Sequence, residues 1–353
     1  MHTEATPTAV VLAGAGVEAE RWGSAFRGVE GVSVDRIDSA SDDDLLQVLA
    51  RPAVDAVAFV MPVADLAGAV KRSLMARRHV FVAGGVALTS KQLLAIERLA
   101  NRRERTVMFA AATAGDEHLA FVRRMTCGSA AIWRPQYLRA TRTGTSAGRS
   151  LDELAVSELA RVLAIVDRLP SSVQAWAPRI DDESGRRDAA MMMLSFDGGL
   201  LAQIDVSLVE PMPRHDLVIA CEGRTLVLNA FDIAAPLQIL GSARHRGPRS
   251  EGEWAETVIE HPAAEFVDQT TRSAMQFVEA IRGRAYAKAS NARQLADAAR
   301  VWEAARESMS ASGDAVALAD EPVQQRLRLK VIQGGGHSDG RRNAAALTLV
   351  ARG

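Results

Sequence analysis

Between residues 9 and about 112, short apolar runs alternate with segments whose apolar positions recur at helical spacing. Strand-like runs fall at 9–13, 31–37, 54–60, 79–82 and 106–110, and helix-like segments at 20–29, 45–49, 65–77 and 90–103. Ser41-Asp42-Asp43-Asp44 and Thr89-Ser90 stand where two of these helices need caps, and the acidic run suits a positive helix N-terminus. Strands that are apolar throughout, alternating with helices, predict a parallel sheet covered on both faces. Ligands of such sheets sit outside the carboxyl ends of the strands, which singles out residues 14–19, 61–66, 83–88 and 111–118.

From about residue 120 the pattern changes. A strand signal at 128–143 and a helix at 152–167 precede strand signals at 172–180, 189–196, 200–209, 217–221, 225–229 and 254–260. Asp197-Gly198-Gly199 and Glu222-Gly223-Arg224 read as hairpin turns, so this part predicts an antiparallel sheet with a helix on one face. Two further helices are expected at 268–282 and 291–310. Alternate residues of 191–196 and 201–209 leave the other sheet face partly apolar, which marks an interface. The expectation is a homo-oligomer, or a hetero-oligomer with a related subunit, built through this C-terminal sheet. Met191-Met192-Met193 reads as sheet core and edge, not as a metal site. Residues 319–353, rich in Gly, Arg and Ser, read as a disordered tail with a solvated His337.

A length of 353 residues favours two domains, at roughly 100–200 residues each. A net charge of -1 gives no general attraction to nucleic acid or to acidic membranes. No apolar run reaches the ~20 residues of a membrane span, and the first eight residues do not read as a signal peptide, so a cytoplasmic location is expected. Cys127 and Cys221 are too few for a disulfide scaffold and lack metal-ligand spacing. Lysine occurs only at positions 71, 91, 288 and 330.

Most informative for ligand binding is the stretch after the first strand. Gly14-Ala15-Gly16-Val17 opens a Gly-x-Gly-x-x-Ala run between a strand and a helix, where small residues permit a tight turn and close approach of a pyrophosphate. Ala19 takes the position where helix packs on strand, and the helix N-terminus faces the phosphates. Against this, Glu18 and Glu20 near that N-terminus would repel a pyrophosphate, so weak or absent dinucleotide affinity is expected. Asp116-Glu117-His118 follows the fifth strand; Glu117 and His118 are acid–base candidates, with Asp116 as helix cap the plainer alternative. Arg134, Arg139 and Arg142 are candidates for an anion or for a solvated sheet face, and His215-Asp216 reads as a turn pair. No serine or cysteine triad and no zinc spacing is present, so no metal is expected.

The order of these pieces over about residues 8–318 resembles the Gfo/Idh/MocA family of glucose–fructose oxidoreductases and inositol dehydrogenases. The likeness rests on Gly14-Ala15-Gly16, on Val54-Asp55-Ala56-Val57 running into Met61-Pro62, and on Arg78-His79-Val80-Phe81-Val82 followed by Val86-Ala87-Leu88-Thr89. It rests also on the late helix through Val301-Trp302-Glu303-Ala304-Ala305-Arg306. The resemblance implies an α/β protein with a Rossmann-like parallel-sheet domain at 1–112 and an α/β domain with a large, mainly antiparallel open sheet at 113–318. It implies NAD or NADP, a small-molecule ligand in the interdomain cleft, and oxidation or reduction of a sugar-like alcohol. Cofactor-binding candidates are Gly14, Ala15, Gly16, Val17, Asp38 for the ribose, and Pro62.

The chain departs from the family pattern at the chemistry. The family's Glu-Lys-Pro loop reads Ala83-Gly84-Gly85, and its His-x-x-Asp helix pair falls at Ser157 and Ala160, with Glu158 one residue away and no histidine. Leu66 stands four residues after Pro62, where a histidine is usual, and one α/β unit before Val54 is trimmed. The expectation is a homologue that has left ordinary dehydrogenase chemistry: a binding, regulatory or partner subunit. The alternatives are an active NAD(P)-dependent oxidoreductase and a cofactor-independent lyase, isomerase or cyclase.

Overall fold

The computed structural model describes residues 7–38, 41–60, 63–84, 86–110, 116–127, 131–144, 150–178, 187–232, 234–242, 257–260, 268–283 and 291–318. In the first part, β1 (Thr8–Ala13), α1 (Gly16–Arg27), β2 (Val32–Ile37), α2 (Asp42–Leu49), β3 (Ala56–Phe59), α3 (Leu66–Met75), β4 (His79–Val82), α4 (Ser90–Arg103) and β5 (Val107–Phe109) alternate without exception. The five strands form a parallel sheet in the order β2-β1-β3-β4-β5. Among the described residues only α2 lies between β2 and β3, in line with the trimmed unit. Two caps follow the sequence: the Ser41 hydroxyl accepts from Asp44 N, and Thr89 with Gln92 closes a capping box; Asp65, expected inside α3, is instead its cap and accepts from Gly68 N.

Helix α1 starts at Gly16, four residues before the expected 20–29 segment. The buried residues of the helix begin at Ala19 and continue with Trp22, Gly23, Ala25 and Phe26, so its first turn carries no apolar pattern to read. Glu20 thus lies beyond the first helical turn, where the dipole has largely faded.

The second part contains α5 (Glu117–Thr126), β6 (Pro135–Thr143), α6 (Leu151–Val166), β7 (Ser172–Trp176), β8 (Ala189–Ser195), β9 (Leu201–Ser207), β10 (Arg214–Cys221), β11 (Arg224–Asn229), β12 (Leu237–Ser242), β13 (Thr257–Glu260), α7 (Gln269–Ile281), α8 (Ala292–Ser310) and β14 (Val316–Ala317). Nine strands form one sheet ordered β13-β12-β11-β10-β6-β9-β8-β7-β14, antiparallel except for the β6–β9 pair. Gly198 and Gly199 both take positive φ (81° and 84°) in the turn from β8 to β9. Two strands, β12 and the two-residue β14, were not visible as patterns in the sequence.

Two cores hold the described chain together. On one face of the parallel sheet Val10 and Leu12 pack with Trp22 and Phe26 of α1, Phe81 of β4 and Phe277 of α7. Phe26 and Phe81 meet edge to face at 5.3 Å, and burying each such ring contributes on the order of 2–3 kcal/mol. The other face, through Val11, Val57 and Val80, is continuous with the core between α6, α8 and the nine-stranded sheet.

Helix α7, which follows the second sheet in the chain, therefore covers the first sheet. Its C-cap residue Arg282 donates to the carbonyl oxygens of Glu30 and Gly31 at 2.8 and 2.7 Å. Asn291, the N-cap of α8, both accepts from Phe109 N (2.9 Å) and donates to Phe109 O (2.6 Å), completing the free edge of β5. The inward residues of the large sheet, such as Leu138, Ala140, Met192 and Ile204, are fully buried, whereas Trp176, Met191 and Leu201 on its other face are exposed.

Candidate functional site

At the carboxyl end of β1, Gly14 donates its N–H to Ile37 O at 2.9 Å, which ties the turn to the end of β2. A Cβ on Gly14 would stand 2.3 Å from Val60 Cγ2, so the close approach of β3 requires glycine there. Gly16 has φ +78°, and a Cβ on it would meet nothing within 4 Å. Ala15, the N-cap of α1, has no side chain that can accept from the first amides. The helix N-terminus is therefore without a side-chain cap and faces open space, a combination suited to an anion. Val17 is exposed there, while Ala19 is buried in the helix–strand contact.

Asp38 is the first residue beyond β2 and so neighbours Gly14. Its carboxylate lies 3.1 Å from Arg36 Nε, and Arg36 also grips Glu20 of α1. The charge of Glu20 is thus met by a guanidinium, so the expected repulsion of a pyrophosphate is left to Glu18 alone. Pro62 lies outside the described residues. These features fit a dinucleotide by shape and charge at the turn and by an acid at the ribose position.

The described residues of the other loops at this end of the sheet carry little chemistry. Gly84 is exposed beyond β4, with open space around its Cβ position. Asp116 caps α5 by accepting from Leu119 N at 2.8 Å, as the plainer reading expects. Glu117 forms an ion pair with Arg272 of α7, and His118 is half-buried beside it in sequence. The position four residues after Pro62 is Leu66, the first residue of α3.

Helix α6 is brought to this region by α8. Gln294 donates to Ala160 O at 3.1 Å, one turn beyond the Asn291 clamp on β5. The middle of α6 therefore lies close to the carboxyl end of β5. The side chains there are Ser157 and the fully buried Ala160; neither titrates near neutral pH.

The residue after Ser157, Glu158, belongs to a charge cluster that spacing along the chain does not show. Glu158, fully buried, contacts Arg161 Nη1 at 2.9 Å, His215 Nε2 at 3.0 Å and Arg142 Nη1 at 3.8 Å. His215 stands directly opposite Arg142 across the β10–β6 pair, and its Nδ1 meets Arg142 Nη1. A guanidinium can only donate, so Nδ1 accepts and Nε2 carries the proton toward Glu158. Burial pushes the Glu158 carboxyl up, but Arg161, His215 and Arg142 outweigh it and hold the carboxyl at about 2. Burial pushes His215 down, against the pull of Glu158.

His215 Nδ1 is bonded to Arg142, and its Nε2 lies 3.0 Å from Glu158 Oε1. The arrangement sets one carboxylate against two guanidinium groups and orients Arg142. His215 belongs to β10 and is not a turn residue. The signal for one pair within the cluster was present in the sequence. Glu158 and Arg161 share, at i and i+3, a helix face otherwise made of Leu154, Val162 and Ile165, and two opposite charges on an apolar face mark a buried pair. Of the other arginines singled out, Arg134 and Arg139 are exposed.

Among the described residues no group of three or more His, Cys, Asp or Glu side chains is placed to hold a metal ion. No described helix is long and apolar enough to cross a membrane.

No family model and no curated protein matches the sequence. Solved structures do match by fold. GenD2 from gentamicin A biosynthesis, in complex with NAD, superposes with a TM-score of 0.69 at 14% identity, over 89% of this chain and 97% of that one. An NAD-binding protein from Listeria innocua gives 0.68 at 17% identity, over 89% and 100%. The UDP-N-acetylglucosamine 3-dehydrogenase GnnA from Acidithiobacillus ferrooxidans gives 0.66 at 19% identity, over 85% and 98%. At such identities the likeness is one of fold: the chain shares the two-sheet architecture of these solved structures.

Proposed function

We propose that this chain binds NAD or NADP at the turn Gly14–Val17, with Asp38 at the ribose, and holds a small-molecule ligand in the cleft between residues 1–112 and 113–318. A structural neighbour solved in complex with NAD and the open, uncapped N-terminus of α1 support the binding. The nicotinamide, when bound, would accept or donate a hydride. The chain itself supplies no proton-transfer group at the family positions, which are Gly84, Ser157 and Ala160. Such a group contributes typically ~10²–10⁴-fold in rate. The function that follows is that of a dinucleotide-binding homologue with the dehydrogenase chemistry removed: a binding, regulatory or partner subunit.

The single observation carrying this reading is the conjunction of an intact turn with a glycine in the lysine position. The exposed apolar residues Trp176, Met191 and Leu201 on the uncovered sheet face support assembly through that face, with itself or with an active relative.

Two measurements test it together. Calorimetric titration with NADH and NADPH should show binding; its absence for both would overturn the cofactor assignment. A screen at 340 nm with a panel of polyols and sugars should show no turnover. Restoring the loop by Ala83→Glu, Gly84→Lys and Gly85→Pro should not create turnover, because the α6 pair is still missing. Turnover by the unmodified chain would refute the loss of chemistry.

A further inference from the structure

We propose that the dinucleotide site selects NAD(H) over NADP(H), and that Glu20 sets this preference by holding Arg36 away from the 2′ position. The inference rests on the cofactor reading above and concerns which cofactor the site takes. In a parallel α/β sheet the adenosine ribose lies beyond the second strand. An acid there bonds the 2′-hydroxyl, and a nearby arginine accommodates a 2′-phosphate.

This chain carries both kinds of residue. Arg36 is the last residue but one of β2 and Asp38 the first residue beyond it, and their side chains meet. Arg36 pairs in register with Leu12, which faces the core under α1, so the arginine emerges on the α1 side. Glu20 reaches down from α1 to meet its guanidinium, while Arg36 Nε lies 3.1 Å from Asp38 Oδ1.

The guanidinium is therefore clamped between two carboxylates, one from the helix and one from the strand end. A bidentate phosphate contact needs two parallel N–H groups directed at one partner, and forming it would require Arg36 to leave Glu20 or Asp38. The trio carries a net charge of −1: two carboxylates against one guanidinium. Arg27 also approaches Glu20, at 3.9 Å, but from the last turn of α1. A 2′-phosphate meets the Asp38 carboxylate and an arginine already committed to two partners. A 2′-hydroxyl meets Asp38, which accepts its proton through a free lone pair. All three side chains are substantially exposed, so each interaction is modest, and together they give a preference on the order of ten-fold.

Isothermal titration calorimetry with NADH and NADPH, at fixed ionic strength, tests this without reference to turnover. The unmodified chain should bind NADH on the order of ten-fold tighter than NADPH. Glu20→Gln should release Arg36 and narrow the ratio several-fold by strengthening NADPH. Adding Arg36→Gln to Glu20→Gln should restore the original ratio, because no cation is left to receive the phosphate. Asp38→Asn should weaken NADH and leave NADPH unharmed or improved. NADPH binding as tight as NADH in the unmodified chain, or a ratio unmoved by Glu20→Gln, would overturn the proposal and leave the cofactor reading standing. Binding of neither nucleotide would sink both. Glu20 is exposed and away from the core, so the variant chains should fold, and their circular dichroism should match that of the parent.

Discussion

Glu158→Gln probes the buried cluster between α6 and the large sheet. The substitution keeps the shape and removes the charge that faces Arg161, whose own side chain is only 5% exposed. Breaking a buried pair on one side leaves the other charge uncompensated and typically costs ~3–5 kcal/mol. An independent route gives a similar size. The Glu158 carboxyl is lowered from 4.5 to about 2, and at 1.36 kcal/mol per pKa unit that corresponds to about 3 kcal/mol.

The pH dependence has a fixed sign. A folded-state carboxyl held below its unfolded value stabilises the protein above pH 4.5, and that contribution fades as pH falls toward 2. Urea denaturation followed by circular dichroism at pH 7 should show the variant destabilised by about 3 kcal/mol. The gap between variant and parent should close as pH drops below 4.5. Glu158→Gln combined with Arg161→Met should cost less than the sum of the two single changes, because both charges leave together. A loss under about 1 kcal/mol, or strict additivity, would show that Glu158 and Arg161 do not depend on each other.

Other consequences are open to direct measurement. His79, whose Nδ1 accepts from Thr106 N, is lowered to about 4, first by burial and then by Arg105; its stabilising effect is complete above pH 6.5 and is lost as pH falls through 4. His79→Asn should flatten the stability curve across that window by roughly 2 kcal/mol, after allowance for partial exposure of the ring, as read from urea midpoints at stepped pH. Gly14→Ala should cost on the order of 1–3 kcal/mol through its contact with Val60, and adding Val60→Ala should recover most of the lost Tm; no recovery would mean that strain elsewhere in the turn dominates. Trp176→Asp with Met191→Asp should convert any assembly formed through the open sheet to monomers by light scattering, with an unchanged melting profile.

What the sequence determined by itself is local. The β1–turn–α1 unit, the caps at Ser41, Asp65, Thr89 and Asp116, and the Gly198-Gly199 turn are written in residues a few positions apart. Their hydrogen bonds close within one helical turn or one hairpin. Periodicity likewise assigned most strands and helices, because side-chain direction repeats every two or every 3.6 residues. The missing lysine at Gly84 and the replaced pair at Ser157 and Ala160 could be read at once, since absence of a residue type needs no geometry.

Tertiary structure decided whatever depends on which distant segments meet. Strand β12 exists because Leu226 finds Ile239 beside it, and β14 because two residues find the edge at Val173. Helix α7 returns to the first sheet because Phe277 completes the cluster of Phe26 and Phe81. Glu20 is paired and not repulsive because β2 presents Arg36 to it. His215 stands against Glu158 only because β10 lies beside β6 in the one register that sets it opposite Arg142. A register shift of one residue would turn His215 to the opposite face of the sheet, and no spacing along the chain encodes that choice.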